Sequence, residues 1–368
     1  MKGETDKRIE ERLVELGKAL VDQKKARVIV EPNKRERGFW FGGGKLLKDR
    51  KGNLAVSGRY RNAGDSRYGI SAGERGLELA VFISGDNGNS FRKIRSWSKK
   101  DLKCRGKEVV SIEGSSLYCG RNTVKMFVST EKDISYPDGF AEYQKPGTGI
   151  WEIDVFEGDS LENLDVSRIR AVLSSADPEK LHIKDPAVFD MNDKTWMIYC
   201  KHPFSWNCSY TGAAEIKNSS AVRTTSEDLL PRGYTWDIAV SRLTCRMPVP
   251  KIGIFAGLPP VSVYFYDGAE CIREHPQNEK GVHRPRGYSC EEIGGLAWGF
   301  DEEFPRIRRL SRHFPLFVSD QGTGCSRYVS AIHNEENLAV CWQKSMADFS
   351  QPLVFHSLDK KEISEILK

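Results

Sequence analysis

Short β-prone runs separated by polar turns recur in groups of four from Lys45 to His356, with no helix-period segment between the groups. The first group is Lys45 to Lys48, Leu54 to Tyr60, Leu77 to Ser84 and Phe91 to Trp97. The second has Val124 to Thr130, Ile150 to Phe156 and Ile169 to Ser174, opened near Ser115 to Cys119. A third begins with the hairpin Ala187 to Phe189, turn Met191 to Lys194, Trp196 to Cys200, and is expected to be completed by Thr235 to Leu243 and Val249 to Phe255. Val261 to Tyr266, Gly295 to Phe300 and Ile307 to Leu310 suggest a fourth, and Arg327 to Ile332, Asn337 to Gln343 and Pro352 to His356 a fifth. Repeated antiparallel units of this size argue for an all-β fold, a five-bladed β-propeller, over a sandwich or an α/β sheet. The last unit lacks an outer strand. Arg27 to Glu31 near the N-terminus can supply it, closing the ring through the two chain ends and leaving fewer exposed edges.

The expected organisation is an N-terminal helix (1–26), the propeller (27–358) and a short C-terminal helix or tail (359–368). Ile9, Leu13, Leu16 and Leu20 stand at helical spacing among charges, the pattern of an amphipathic helix appended to a larger body. At 368 residues with 39% hydrophobic content the chain can bury one large core. It has no apolar run long enough to cross a bilayer, so no membrane partner is expected. The start MKGETDKRIEERL lacks the apolar centre of a secretory signal, which points to the cytoplasm unless a leader was removed. Nine cysteines without a CxxC or a Cys/His cluster favour neither a disulfide framework nor a structural metal, and no metal or cofactor is expected. The net charge of +5 comes from Lys and Arg interleaved with Asp and Glu, so no nucleic-acid partner is expected. Nothing in the sequence sets the oligomeric state.

In four-stranded blades, the connections between second and third strands emerge on the same face as the connections between blades. Here these are long (Arg61 to Gly76, Glu131 to Gly149, Lys201 to Tyr234, Arg273 to Gly294), whereas the opposite turns DRKGN, MNDK and NEEN are short. Long loops gathered at one end of a rigid scaffold are where binding and catalysis concentrate. Asp185 is the first acidic candidate: Pro186 lacks an N–H, so its strand is expected to begin after it and leave Asp185 at the mouth. A merely structural Asp185 would be bonded to backbone and shielded from ligand. Glu113 in SIEGSS holds the corresponding position in the second blade, unless it is an exposed loop carboxylate. Asp65 lies among Arg59, Arg61 and Arg67, a grouping that either fixes an anion or is a solvated loop. Glu292 is the choice from the pair Glu291 and Glu292, which precedes a third strand. Around these acids, His202, Trp206 and Tyr210 offer the aromatic face and polar contacts that a sugar ring requires. Glu142 is a further rim carboxylate. His283, Arg284, Arg286 and Arg327 bring cations to the rim, either for phosphate, sulfate or a sugar acid or simply solvated.

Two stretches carry a resemblance. Ser84-Gly85-Asp86-Asn87-Gly88-Asn89-Ser90-Phe91 is similar to the Asp box of sialidase propellers, which implies a structural turn held by Asp86. Lys184-Asp185-Pro186-Ala187-Val188-Phe189 with its hairpin resembles the Asp-Pro hairpin of five-bladed glycosidases: the arabinanase and xylosidase, invertase and levansucrase, and mannoside phosphorylase families. The resemblance implies a carbohydrate substrate, a central pocket, and an Asp that tunes the acid or stabilises the transition state. Where those enzymes open the first blade with an Asp, this chain has Phe41-Gly42-Gly43-Gly44. The resulting expectation is a glycoside hydrolase with paired carboxylates in an axial pocket. A glycoside phosphorylase, a sialidase-like enzyme and a non-catalytic glycan-binding or protein-binding propeller remain alternatives.

Overall fold

The computed structural model describes residues 2–62, 74–217, 221–271, 291–334 and 337–368. Five antiparallel sheets follow one another around an axis. The first blade contains β2 (Trp40–Gly42) and β3 (Leu46–Lys48), which both pair with β4 (Leu54–Asn62), then β5 (Glu74–Ser84) and β6 (Arg92–Ser98). The second is β7 (Val109–Cys119), β8 (Val124–Lys132), β9 (Ile150–Gly158) and β10 (Asp165–Leu173). The third is β11 (His182–Met191), β12 (Lys194–His202), β13 (Tyr210–Lys217) and β14 (Ala221–Ser226). The fourth is β15 (Val240–Pro248), β16 (Val261–Ala269), β17 (Ile293–Phe300) and β18 (Arg308–Arg309). The fifth is β19 (Ser326–Asn334), β20 (Asn337–Lys344) and β21 (Leu353–Asp359), with β1 (Arg27–Val30) antiparallel on its outer edge and Arg27 opposite Phe355.

The third and fourth blades differ from the sequence expectation. The strand expected over Thr235 to Leu243 overlaps β15 only from Val240, and β15 is the innermost of the fourth blade; Val249 to Phe255 is not a strand but a connection containing a 3₁₀ turn at Gly253–Phe255. The third blade is completed instead by β13 and β14, taken from a stretch read as one loop. Their sequences, YTGAAEIK and AVRTTS, are too small and polar to show strand alternation.

The innermost strands share a device. The register breaks between Ile112 and Ser115 in β7, Lys184 and Ala187 in β11, Leu243 and Cys245 in β15, and Arg327 and Ser330 in β19. Such bulges free backbone groups from the ladder and re-aim side chains. Here the freed groups bond across blades. Ser115 N–H donates to the Gly43 carbonyl (2.8 Å), Gly114 N–H to Asp185 Oδ1 (3.0 Å) and Tyr328 N–H to Asp267 Oδ2 (3.1 Å). Thr244 Oγ1 donates to the Val329 carbonyl (2.8 Å). Asp185 thus lies inside β11, at a bulge with φ +55°, rather than ahead of the strand. Pro186 fits there because a bulge residue owes the ladder no N–H.

Helix α1 (Lys2–Leu20) buries Ile9, Leu13, Leu16 and Leu20 in one cluster with Met247, Phe265 and Trp298 of the fourth blade and Val340 and Trp342 of the fifth. Burying side chains of this kind contributes roughly 1.5–3 kcal/mol each. Helix α2 (Lys360–Ile366) follows β21 directly, its N-terminus closed by a reciprocal Asp359 and Glu362 capping box.

Between β5 and β6, on the face away from the long loops, Asp86 accepts bonds from Ser84 Oγ (2.7 Å), Ser90 N–H (2.9 Å) and Ser90 Oγ (2.6 Å). The Ser90 and Ser84 bonds hold its pKa down at about 2. Gly88, at φ +88°, lets the turn close over the Phe355 ring. Asp86→Ala is therefore expected to lower the thermal midpoint while leaving sugar binding intact. A carboxylate held low stabilises fully above its ordinary value of 3.8 and loses that contribution as pH falls toward about 2, so the gap between variant and wild type should close over that range. Thermal unfolding and glycan titration check this; lost binding at an unchanged midpoint would contradict it.

Candidate active site

Antiparallel alternation brings the start of each innermost strand, the end of each second strand and the start of each third strand to one face. A cavity of about 390 Å³ opens there on the axis, lined from all five blades. Trp40 comes from the start of β2, Arg59 and Arg61 from the end of β4, and Arg75 from the start of β5. Glu113 sits in the β7 bulge, Glu131 at the end of β8 and Trp151 at the start of β9. The third blade gives Lys184, His202 and Trp206, the fourth Arg242, Glu291 and Glu292, and the fifth Arg327 and Tyr328. Gly43, at φ +73°, packs against one of these side chains: a Cβ there would run into the Arg59 guanidinium.

The charges are matched in a definite pattern. Arg59 pairs with Glu113, and Arg75 Nη1 stands 3.0 Å from Glu131 Oε2. Arg242 is the hub: Nη1 lies 3.2 Å from Asp185 Oδ2, and Nη2 lies 2.7 Å from Asp267 Oδ2 and 2.9 Å from Glu292 Oε1. Arg327 pairs with the other Glu292 oxygen. Tyr328, at φ +54°, is ringed by guanidinium groups, with Arg242 at 4.1 Å, Arg59 at 5.3 Å and Arg327 at 5.4 Å from its ring centroid.

These surroundings drive the lining carboxyls in opposite directions. Burial would raise Glu113, but Arg59, Lys184, Arg61 and Arg327 outweigh it and hold the group at about 2. Glu292 is likewise held far below the carboxylate range, Arg242 and Arg327 overcoming its burial. Glu131 goes the other way. It is 1% exposed, and burial raises it despite Arg75 and a 2.8 Å bond from Gly149 N–H, with the Glu113 charge adding to the rise. His182 is pushed down to about 3 and His202 well below its usual value, by burial first and then by the Lys184 charge. Neutral His182 bonds Tyr136 Oη (2.9 Å) and His202 Nδ1 bonds the Cys208 carbonyl (3.0 Å), with both rings against Trp206.

Of the residues picked out from sequence, Glu113, Glu292, Arg61, His202, Trp206 and Arg327 line the cavity together. Asp185 does not lie on the lining; it is 4% exposed behind it, accepting from Gly114 N–H and paired with Arg242. Glu142 is exposed on a 3₁₀ turn, and its neighbour Tyr143 reaches the lining instead. Asp65, Arg67, His283, Arg284 and Arg286 lie outside the described residues. Glu131, Arg242 and Tyr328 were missed by sequence reasoning. The signal for Glu131 was its place as the last residue before a long loop on the site face; the signal for Arg242 was hidden by assigning its strand to the wrong blade. Among the described residues no group of three or more His, Cys, Asp or Glu side chains is placed to hold a metal ion, and no helix is long and apolar enough to cross a membrane.

No protein-family model matches the sequence, and no curated protein matches it. Solved structures match over nearly the whole chain. One, a BT0996 RGII complex, has a TM-score of 0.62 and 13% identity, covering 95% of this chain and 95% of that one. The α-L-arabinofuranosidase of Lactobacillus brevis has a TM-score of 0.56 and 12% identity over 89% of this chain and 92% of that one. The β-1,2-mannobiose phosphorylase of Listeria innocua has a TM-score of 0.53 and 12% identity over 94% and 93%. At this identity the likeness is one of fold, and the fold of this chain is that of the five-bladed propeller glycoside hydrolases and the phosphorylase that shares it.

Proposed function

We propose that this chain breaks glycosidic bonds in the axial cavity, with Glu131 as proton donor and ionised Glu113 as its counterpart. The observation that carries the reading is the divergence of these two interacting carboxyls, one raised by burial and the other held at about 2 by its cations. Glycoside cleavage needs one protonated and one ionised carboxyl, and environments that push two of them apart supply it. Glu131 gives its proton to the leaving oxygen as the C–O bond breaks. Glu113 stabilises the positive charge that grows on the sugar ring. Water adds to the anomeric carbon, and its surplus proton restores Glu131. Trp40, Trp151 and Trp206 offer faces to the sugar. Asp185, held off the lining, fixes Gly114 next to Glu113 and keeps Arg242 in place. A carbohydrate partner and a cytoplasmic setting belong to the same proposal, the latter supported by the free thiols of the described cysteines. A second reading, phosphorolysis, is favoured by the many cations of the lining; supplying inorganic phosphate and looking for a sugar phosphate product separates the two.

The test is Glu131→Gln. Turnover of aryl glycosides with poor leaving groups is expected to fall by about 10²–10⁴-fold, while substrates whose leaving group needs no proton lose little. The wild-type rate should fall as pH rises through the Glu131 pKa, which lies above the ordinary 4.5, and this limb should vanish in the variant. Equal losses for good and poor leaving groups would remove Glu131 from the role.

A further inference from the structure

Among the described residues the cavity is lined by seven Lys and Arg side chains and only four carboxyl groups, one of them the proposed proton donor Glu131. Such an excess opposes the positive charge that glycosidic cleavage builds on the sugar, unless the ligand itself brings negative charge. The place for that charge can be found by asking which cation is left over. Arg59, Arg242 and Arg327 each face an ionised carboxylate of the lining, and Arg75 donates to Glu131, the proposed proton donor. Arg61 stacks on Trp40, its guanidinium 4.8 Å from the ring centroid, and Lys145 is exposed at the rim.

Lys184 is different. It is 8% exposed and lines the cavity, and its ammonium stands 5.5 Å from the Trp151 ring centroid and 5.2 Å from that of Trp206. Among the described residues no hydrogen-bond acceptor or ion-pair partner lies against its ammonium, and Glu113 and Glu292 feel its charge only from farther off. Its bulge and the ion pair behind it fix its place, since the neighbouring Asp185 is tied to Gly114 and Arg242. The effect of its charge reaches His182 and His202, which it helps to keep neutral. An ammonium buried beside two indole faces, with Glu113 and Glu292 acting on it only at a distance, gains a direct anionic contact from a ligand that brings one.

We propose that the sugar taken by this cavity is a sugar acid, a saccharide whose ring carboxylate sits on the Lys184 ammonium while the ring stacks against Trp151 or Trp206. The proposal rests on the glycoside-cleaving reading above and names its substrate class. A carboxylate on a stacked ring fits better than a free phosphate. Lysine presents a single point charge between flat apolar walls, whereas inorganic phosphate calls for several converging donors. Seating the carboxylate also brings the cavity closer to electrical balance before positive charge develops on the ring.

The test is calorimetric titration of wild type with sodium glucuronate and galacturonate, with glucose and galactose as neutral matches, and with inorganic phosphate, repeated for Lys184→Met and Lys184→Arg. Wild type is expected to bind the uronate at least about tenfold more tightly than the matching neutral sugar, the worth of one charge-assisted hydrogen bond. Lys184→Met should lose that preference, read as the ratio of uronate to neutral-sugar affinity within the same variant, and Lys184→Arg, which keeps the charge should the Met variant fail to fold, should retain most of it. A uronate bound no better than its neutral match overturns the proposal, as does a preference that survives in Lys184→Met. Phosphate binding that depends on Lys184 while uronates fail also overturns it and assigns the seat to phosphate. Because binding is read without turnover, a Lys184-dependent uronate preference in a protein that cleaves no glycoside supports this proposal and sinks only the enzymatic one.

Discussion

Glu113→Gln is expected to yield a folded protein that still binds glycan and turns it over at least about a hundredfold more slowly. The exchange keeps the shape of the side chain and removes the charge that Arg59, Lys184 and Arg61 hold in place. The same charge also contributes to stability. A carboxyl moved from 4.5 to about 2 stabilises the fold fully above pH 4.5 and loses that contribution as pH falls toward 2, so the wild type should weaken over this interval and the variant should not share that slope. Single-turnover kinetics on an aryl glycoside, normalised to folded protein, separates the two effects. Wild-type turnover in a folded Glu113→Gln would remove the residue from the chemistry.

Arg242→Leu should produce the largest loss of stability. Arg242 is 2% exposed, and the carboxylates of Asp185, Asp267 and Glu292 all meet its guanidinium. Taking away the shared partner of buried charges leaves them uncompensated, at a cost of about 3–5 kcal/mol. Protonation relieves the abandoned carboxylates, so the deficit should be greatest near neutral pH and shrink as pH falls. Urea midpoints at neutral and mildly acidic pH measure it. A deficit under about 1 kcal/mol, or one that ignores pH, would mean that the hub is looser than its distances imply.

What could be read from the sequence follows from where the apolar alternation is strong. The first, second and fifth blades announce themselves because strands such as Leu54–Asn62 and Val124–Lys132 carry large side chains into the core. Tyr210–Lys217 does not, and the reason is packing: Gly212 lies against the Tyr199 ring, where a Cβ would collide, so the strand needs small residues that read as loop. The candidate site divides in the same way. Glu113 and the His202 to Trp206 stretch are legible because they flank β-prone runs on the face of the long loops. Glu131 becomes special only when Arg75 and Gly149, from other strands and loops, close around it. The choice between Glu291 and Glu292 could not be made from neighbours in sequence, since it depends on Arg242 and Arg327 arriving from other strands of the ring.

The register breaks of the innermost strands have a mechanical consequence. Pairing β1 with β21 completes only the fifth blade, but near the axis bonds run crosswise from blade to blade: Leu46 to Ser330, Ser115 to Gly43, Gly114 to Asp185, Arg242 to Asp185, Thr244 to Val329 and Tyr328 to Asp267. They act as an inner hoop. A blade that peeled away would strip its neighbours of buried partners as well as losing its own, which ties the opening of one blade to its neighbours. Breathing of single blades is thereby opposed at the axis, where the cavity-lining groups of the five blades meet.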